Sequence, residues 1–234
     1  ENAGEKYTGS GIAASALAMN KFQSREIFKL AGLNTPKTLK LKKGENFSAQ
    51  LNFFVNKIAK FPVVVKPCSN GSSVGVQIAD NPKKLSKAVA EAFLIDTEVL
   101  IEEFIKGREL TCGVLENNQG VSALPVTEII PLKKHKFFNY DAKYKVGHSN
   151  EITPAQIDEE AFKKAQDTAV RTHQVLNCRG YSRTDMIMKN DSIYVLETNT
   201  LPGLTPTSLL PKAAKSAGLS LSALLDKFIE SSLI

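Results

Sequence analysis

The sequence predicts a domain that mixes α-helices and β-strands, and three segments carry this prediction. Residues 61–66 form a β-branched run that is typical of a buried strand. Residues 154–176 place small apolar side chains along one side of a long helix that begins at a proline. Residues 181–189 and 192–199 are strand-like and flank an Asn-Asp pair, which predicts a hairpin. We therefore expect helices packed on sheets.

Composition and length set the broad class of the protein. The chain has 234 residues, of which 42% are hydrophobic and 23% charged, and these values exclude a disordered or collagen-like chain. The length allows one large domain or two small ones. The longest apolar run, residues 61–65, stops at Lys66 and is far too short for a membrane span. The N-terminal residues contain no apolar signal core.

Cysteine usage and charge narrow the possible partners. The three cysteines, Cys68, Cys112 and Cys178, have no C-x-x-C spacing, which excludes a zinc finger or a disulfide framework. A reducing compartment follows, so we expect a cytoplasmic location. The net charge is +6, but the Lys and Arg residues are scattered and Trp is absent. We expect no nucleic-acid partner and no membrane partner.

The first half of the chain contains clear helix and strand boundaries. Asn20 is an N-cap candidate for a helix that runs to residue 30 and is closed by Gly32. Residues 74–78 predict a second strand, joined to the first by small and polar residues. Asn81 followed by Pro82 predicts the start of a helix that ends near residue 93.

The second half contains a long segment without regular pattern. Residues 98–104 and 109–115 predict strands joined by a turn. Residues 124–153 are rich in Lys, Tyr and Phe and predict an irregular loop, and loops of that length are usually functional or disordered. Ser220 predicts the cap of a final helix.

The segment 66–75 is a candidate phosphate-binding loop. A strand ends at Lys66, and a run of small residues that includes Gly71, Ser72 and Ser73 follows. Glycines let backbone N–H groups approach an anion, hydroxyls add donors, and the lysine supplies a positive charge. The composition alone fits a plain hairpin turn equally well.

The predicted hairpin carries a candidate metal site. Arg183 and Asp185 lie two residues apart on one strand, as do Glu197 and Asn199 on the next, so each pair shares a face. If these faces coincide, three oxygen ligands and a guanidinium converge, and such hard ligands suit magnesium with substrate phosphates. The alternative is a surface salt bridge between Arg183 and the two carboxylates.

Two further segments are weaker candidates. The Pro- and Thr-rich loop 199–208 follows the hairpin and could hold a substrate carboxylate, or it is only a rigid turn. Lys143 and Tyr144 could form part of a mobile lid, or they are an ordinary exposed pair. The three histidines show no ligand spacing.

The order and spacing of these motifs resemble the D-alanine–D-alanine ligase family of the ATP-grasp superfamily. The resemblance runs from Tyr7 almost to the C-terminus. The matching segments are residues 7–11, 19–21, 61–66, 71–75, 100–103, 107–109, 140–144, 183–185 and 196–203.

The resemblance implies an α+β fold, the ATP-grasp fold, in which two subdomains with mainly antiparallel sheets clamp ATP. Residues 1–19 would then be a linker from an N-terminal domain, residues 20–106 the central subdomain, and residues 107–234 the C-terminal subdomain. Family members are longer at the N-terminus, where an additional domain contributes a glutamate that holds the first D-alanine. We expect a truncated chain that keeps ATP and magnesium binding but is impaired in dipeptide synthesis.

The resemblance also implies a nucleotide site, with ATP and two magnesium (or manganese) ions as cofactors. Its members bind phosphates, close over them, line the adenine pocket or hold the ribose. They are Lys21, Lys66, Gly71, Ser72, Ser73, Glu102, Glu103, Phe104, Ile105, Glu109 and Lys143, and the metal ligands are Asp185, Glu197 and Asn199.

The implied reaction phosphorylates one D-alanine and then joins it to a second, for peptidoglycan precursors. Arg183 and Gly203 would stabilise the oxyanion, and Ser208 and Leu209 would bind the carboxylate of the second D-alanine. Ser72 and Tyr144 would help orient substrate and close the lid. Lys143 and Tyr144 match relatives that use D-alanine rather than D-lactate as acceptor. Relatives are commonly homodimers, and the oligomeric state of this chain stays open.

Two alternatives to this ligase stay open at the level of sequence. One is another ATP-grasp carboxylate–amine ligase with a different acceptor. The other is a non-catalytic ATP-binding fragment, which would bind ATP without releasing phosphate to any amino acid.

Overall fold

A computed structural model describes residues 1, 4–131 and 149–233. Its strands form two sheets in which every described pair of neighbours is antiparallel, and helices pack on both sheets. The prediction of an α+β fold with mainly antiparallel sheets is therefore confirmed. None of the described helices is both long enough and apolar enough to cross a membrane.

The first sheet has four strands and lies in the N-terminal half. In spatial order they are β1 (Thr38–Lys42), β4 (Glu98–Glu103), β2 (Val63–Pro67) and β3 (Gln77–Ala79). Helix α3 (Ser48–Phe53), which continues into the π-helical turn Phe54–Ile58, and helix α4 (Pro82–Ala92) enclose its apolar core. Val63 and Val65 of β2 are fully buried there, as the β-branched run predicted.

The second sheet has six described strands and holds the hairpin. The strands follow the spatial order β10 (Ser192–Asn199), β9 (Tyr181–Lys189), β5 (Arg108–Asn117), β7 (Thr127–Pro131) and β8 (Ser149–Ile152), and β6 (Gly120–Ala123) also pairs with β5. Helix α5 (Glu159–Val175) packs on one face, and α6 (Leu209–Ser216) and α7 (Leu221–Ser232) pack on the other. Both strands of the predicted hairpin have the predicted bounds.

Helix α6 approaches the sheet closely at Gly113 of β5. A Cβ atom at this position would lie 2.4 Å from Leu210 Cδ1 of α6, closer than two carbon atoms can pack. The absence of a side chain at Gly113 therefore allows α6 to pack this close to the sheet.

Two helices at the N-terminus, α1 (Ile12–Met19) and α2 (Lys21–Leu30), join the first sheet to the second. Their apolar residues Ala18 and Phe28 pack with Val195 of β10 in one buried cluster. The backbone N–H of Val195 also donates to the Asn34 carbonyl at 2.8 Å, just after α2. These contacts hold the N-terminal helices, which precede the first sheet in the chain, against β10 of the second sheet.

The caps of three helices were predicted correctly from single residues. The side chains of Asn20, Asn81 and Ser220 accept hydrogen bonds from the N–H groups three residues later, and Pro82 is the first residue of α4. One helix start was wrong. Helix α5 begins at Glu159 rather than at residue 154, because the Asp158 carboxylate caps it by accepting from the Ala161 N–H.

Three other expectations differ from the structure. The second strand begins at Gln77 instead of residue 74, because Ser72, Ser73 and Gly75 adopt left-handed backbone conformations that end strand pairing. The segment 124–153, expected to be irregular, contains β7 and β8. Residues 12–19, expected to be a linker, form helix α1.

Candidate active site between the two sheets

A cavity of about 330 Å³ lies between the two sheets. Lys21 and Lys66 line it from α2 and the first sheet, and Asp185 and Glu197 line it from the hairpin of the second sheet. A cavity of this size suits a small ligand. The basic and acidic residues that the sequence singled out separately thus face one another across a single cavity.

The two lysines that line the cavity are both buried. Lys66, on β2, is only 7% exposed, and its Nζ lies 3.0 Å from Glu102 Oε1. Lys21, the first residue of α2, donates from Nζ to the Asn70 carbonyl and lies 3.7 Å from Glu197 Oε2. Burial, together with the positive charge of Arg25, lowers the pKa of Lys66 to about 8. Lys66 is therefore a desolvated cation.

Arg25 is a site residue that sequence reasoning missed. Its side chain is fully buried and pairs with the Glu102 carboxylate, which also holds Lys66. Burial by itself would raise the pKa of Glu102, but Arg25 and Lys66 together lower it below its ordinary value. The helical spacing contained a signal, because Arg25 follows Lys21 by one turn and precedes the buried Phe28 by three residues.

The wall predicted to hold adenine is the segment that leads from the first sheet to the second. Glu102, Glu103, Phe104 and Ile105 all line the cavity, and Glu109 lines it just beyond, at the start of β5. Apolar residues of both sheets complete this end of the cavity. They include Val64, Ile78, Met186, Ile187 and Leu196. The Glu102 carboxylate itself points to Arg25 and Lys66.

The hairpin places Asp185 and Glu197 opposite each other on neighbouring strands. Glu197 pairs with Asp185 across the β9–β10 ladder, and Asn199 pairs with Arg183. The register shifts between Val195 and Glu197, so β10 has a bulge just before Glu197. This irregularity brings Glu197 opposite Asp185.

Asp185 is held by three neighbours. Arg183 donates from Nε to Oδ1 at 3.0 Å and from Nη2 to Oδ2 at 3.1 Å, and the Asn199 amide lies 3.4 Å from Oδ2. The hydroxyl of Thr111 donates to Oδ1 at 2.7 Å. Thr111 gave no signal in the sequence, because its contact depends on the pairing of β5 with β9. The Arg183–Asp185 ion pair is the contact that the salt-bridge alternative anticipated.

The oxygen donors fit a magnesium ion. Two carboxylates, from Asp185 and Glu197, line the cavity from neighbouring strands, and the amide of Asn199 lies two residues beyond Glu197 on β10. Within the described residues no group of three or more His, Cys, Asp or Glu side chains forms a metal site. A site with two carboxylates instead suits magnesium, which combines one or two carboxylates with substrate phosphates and water.

Of the remaining predicted residues, one lines the cavity, others lie in loops and at the start of α6, and two lie outside the described part of the chain. Ser73 lines the cavity, whereas Gly71 and Ser72 are in the adjoining loop. Gly203 lies beside Ser208, the N-cap of α6, and Leu209 is the first residue of that helix. Lys143 and Tyr144 lie outside the described residues.

The comparison with known proteins identifies the family. The family model for the D-ala D-ala ligase C-terminus matches residues 27–230. A D-alanine–D-alanine ligase of Syntrophobacter fumaroxidans is 46% identical over 98% of this chain and 73% of its own length. The ligase of Halalkalibacterium halodurans is 43% identical over 97% of this chain and 73% of its own length.

Solved structures agree with this result. A Bacillus anthracis D-alanine–D-alanine ligase complexed with ATP has a TM-score of 0.82 and 34% identity, with 99% of this chain and 72% of that chain covered. The VanG D-Ala:D-Ser ligase of Enterococcus faecalis has a TM-score of 0.84 and 35% identity, with 96% and 64% covered. The predicted ATP-grasp fold is confirmed, and the chain belongs to the D-alanine–D-alanine ligase family.

Proposed function

We propose that the chain carries the ATP site of an enzyme that joins two D-alanines through a D-alanyl phosphate, for peptidoglycan precursor synthesis. The observation that carries this proposal is the meeting of Lys21 and Lys66 with Asp185 and Glu197 in one cavity. Phosphoryl transfer needs little covalent chemistry from the protein and depends on positioning and charge neutralisation. This cavity provides both.

In this proposal ATP extends from the apolar residues of the cavity to its two lysines. The apolar end, with Phe104 and Ile105, receives the base, and Glu109 receives the ribose hydroxyls. The polyphosphate then extends towards Lys21 and Lys66, with Gly71, Ser72 and Ser73 beside it. The ATP complex of the Bacillus anthracis relative supports this use of the cavity.

Asp185, Glu197 and Asn199 would hold magnesium or manganese, two ions in all. When bound, the metal would supply positive charge to the phosphates during transfer. Thr111 orients Asp185 through the hydrogen bond to Oδ1. Arg183 lies against the same carboxylate, and this contact supports a role for its guanidinium close to the metal ligands.

The proposed reaction has two steps, phosphorylation of one D-alanine and its attack by the amine of the other. In the first, a carboxylate oxygen of D-alanine attacks the terminal phosphorus of ATP, and the bond to the leaving ADP oxygen breaks. In the second, the amine of the other D-alanine attacks the carbonyl carbon, the C–N bond forms, phosphate leaves and the amine loses a proton. Arg183 and the Gly203 N–H stabilise the oxyanion of the second step. Ser208 and Leu209 would hold the acceptor carboxylate. The family resemblance assigns Lys143 to the terminal phosphate, and Ser72 with Tyr144 to the orientation of the substrate.

In this proposal the chain has two main subdomains, and each contains one of the two sheets. Residues 20–106 form the central subdomain and residues 107–234 the C-terminal one, and residues 1–19, which include α1, are the linker that precedes them. The division is supported by β4 and β5, which belong to different sheets although only residues 104–107 separate them. We also propose a cytoplasmic location, which the three free, buried cysteines support.

Calorimetric titration with Mg-ATP tests the nucleotide site. We expect saturable binding by the wild-type chain and by Asp191→Asn, a control in the exposed turn of the hairpin, and severe loss in Lys66→Met. Folded wild-type chain that binds no Mg-ATP would refute the proposal.

A chimera tests the complete reaction. The chain is joined behind the N-terminal part of the Syntrophobacter fumaroxidans relative, of which it matches 73%. Release of ADP is then measured with D-alanine, D-serine, D-lactate or L-alanine. We expect release with D-alanine. Release with D-serine alone would support an acceptor like that of the VanG relative, and binding without release would support a non-catalytic ATP-binding unit.

A further inference from the structure

Arg25 is buried where the two sheets approach each other. The residue is on α2 and has no exposed surface. Its Nη1 contacts the Glu102 carboxylate and donates to Thr38 Oγ1 at 2.8 Å, both in the first sheet. Its Nη2 donates to the Leu196 carbonyl of β10 at 3.3 Å, in the second sheet. One guanidinium thus bonds to both halves of the cavity.

The contact with Glu102 sets the charge beside Lys66. Arg25, Lys66 and Glu102 together carry one excess positive charge, and all three are almost fully buried. Without Arg25, Glu102 and Lys66 would form a neutral pair, and the attraction of Lys66 for an anion would be largely cancelled by its carboxylate neighbour. Arg25 therefore leaves the Lys66 ammonium available to a phosphate.

The contact with Leu196 sets the position of Glu197. Leu196 is the residue at which the β9–β10 register shifts, so the ladder does not fix its carbonyl as it does elsewhere in the hairpin. Arg25 binds this carbonyl. The next residue is Glu197, whose carboxylate faces the cavity opposite Asp185. The direction of the Glu197 side chain consequently depends on the bond from Arg25.

We propose that Arg25 is a positioning residue that holds Lys66, through Glu102, and Glu197, through the Leu196 carbonyl, in one fixed arrangement around the Mg-ATP. This inference rests on the proposed function, because it assigns Arg25 to the same nucleotide site. Arg25 acts through these neighbours and does not line the cavity itself.

Two substitutions separate the two contacts. Arg25→Lys keeps the positive charge beside Glu102 but has no second nitrogen to reach Leu196. Arg25→Met removes both contacts. Thr38→Ala is the matched control, since it deletes a hydrogen bond of the same guanidinium but leaves the groups that contact Arg25 on Glu102 and Leu196 in place. The melting temperature of each variant is measured alongside, so that loss of folding is recognised.

Two binding quantities are measured by calorimetry for each protein. One is the Kd for ATP at saturating magnesium, and the other is the magnesium concentration that gives half-maximal ATP binding. For Arg25→Lys we expect the Kd to stay within about 3-fold and the magnesium requirement to rise about 10-fold or more. For Arg25→Met we expect both quantities to rise at least about 10-fold. Thr38→Ala should leave both near the wild-type values.

The result separates this inference from the proposed function. If wild-type chain binds Mg-ATP and Arg25→Lys has an unchanged magnesium requirement, the positioning role is refuted while the nucleotide site stands. A magnesium requirement that rises equally in Arg25→Lys and Thr38→Ala, in step with their melting temperatures, would also refute it. Folded wild-type protein that binds no Mg-ATP would refute the proposed function itself.

Discussion

The Nζ atom of Lys21 lies 3.7 Å from Oε2 of Glu197, and this contact joins the N-terminal end of α2 to the hairpin of the second sheet. Both side chains are largely buried, with 7% and 19% of their surfaces exposed. Opposite charges at this distance stabilise each other in the absence of ligand. A polyphosphate with its metal ion supplies a new partner to each, an anion for Lys21 and a cation for Glu197.

The first prediction concerns the carboxylates of the hairpin. Glu197→Gln and Asp185→Asn each remove one charged oxygen ligand while keeping the side-chain shape. We expect the fold to persist and magnesium-dependent ATP turnover to fall at least about 100-fold, because the metal would lose one of its two charged ligands. ADP release by a chimera that carries each change measures this, with Asp191→Asn as the control. Unchanged turnover in either variant would mean that the metal is held elsewhere.

The second prediction concerns pH. Burial, with the charge of Arg25, lowers the pKa of Lys66 to about 8 in the folded chain, below the ordinary lysine value of 10.5. A bound phosphate favours the charged form and raises this pKa, so ATP binding near pH 8 should take up protons. Mg-ATP affinity should fall as the pH rises from 7 to 9. Calorimetry in buffers of different ionisation enthalpy measures the proton uptake.

The same pKa shift has a defined effect on stability. Between pH 8 and pH 10.5 the unfolded chain holds the Lys66 proton and the folded chain releases it, so the contribution of this group to folding rises with pH in that window. Lys66→Arg, which stays charged, should lack both this rise and the proton uptake. Equal pH profiles for the two proteins would contradict the assignment.

The third prediction concerns Thr111, whose hydroxyl donates to Asp185 Oδ1. Thr111→Val removes this bond with little change of volume, so Asp185 loses one of the groups that orient it. We expect the magnesium requirement for ATP binding to rise between about 3-fold and about 10-fold. Thr127→Val is the control, because Thr127 is also buried in the second sheet but bonds to Thr153. An equal effect in both variants would indicate a general loss of packing.

The fourth prediction concerns the contact between α6 and the sheet. Gly113→Ala places a methyl group 2.4 Å from Leu210 Cδ1, so the helix must shift or the leucine must change rotamer. Overpacking of this kind costs about 1–3 kcal/mol of the free energy of unfolding. Urea denaturation measures the loss, and Gly113→Ala combined with Leu210→Val should recover part of it. A double variant no more stable than Gly113→Ala would contradict the steric explanation.

Local chemistry explains which elements could be predicted from the sequence. An Asn or Ser at a helix start bonds to the N–H groups of its own first turn, so Asn20, Asn81 and Ser220 reveal their helices without any knowledge of the tertiary fold. The Asn190-Asp191 turn fixes the hairpin in the same way, with Asn190 in a left-handed conformation.

Features that depend on distant contacts could not be read in this way. Strands β7 and β8 lie within a segment rich in polar and aromatic residues, and pairing with β5 and with each other forms them. The roles of Arg25 and Thr111 also depend on tertiary contacts, since Arg25 reaches residue 196 and Thr111 reaches residue 185. The helix α1 is short and carries no side-chain cap.

The family resemblance and the residues of the cavity were predictable for a different reason. The motifs follow one another in a fixed order along the chain, and the Asn190-Asp191 turn pairs the two strands of the hairpin. The turn alone would place Leu196 opposite Asp185, and only the bulge before Glu197, which the sequence did not reveal, brings Glu197 there. The sequence left two partners open for Arg183, an oxyanion or a carboxylate of the hairpin, and the structure shows that it binds Asp185 through Nε and Nη2.

The central claim is that the two sheets hold one nucleotide and its metal ion between them. A crystal structure of the chain with a non-hydrolysable ATP analogue and Mn²⁺, recorded at a wavelength where manganese scatters anomalously, tests it most directly. We expect an anomalous peak about 2.2 Å from carboxylate oxygens of Asp185 and Glu197, with the phosphates in contact with Lys21 and Lys66. A peak away from the hairpin, or phosphates bound away from both lysines, would contradict the claim.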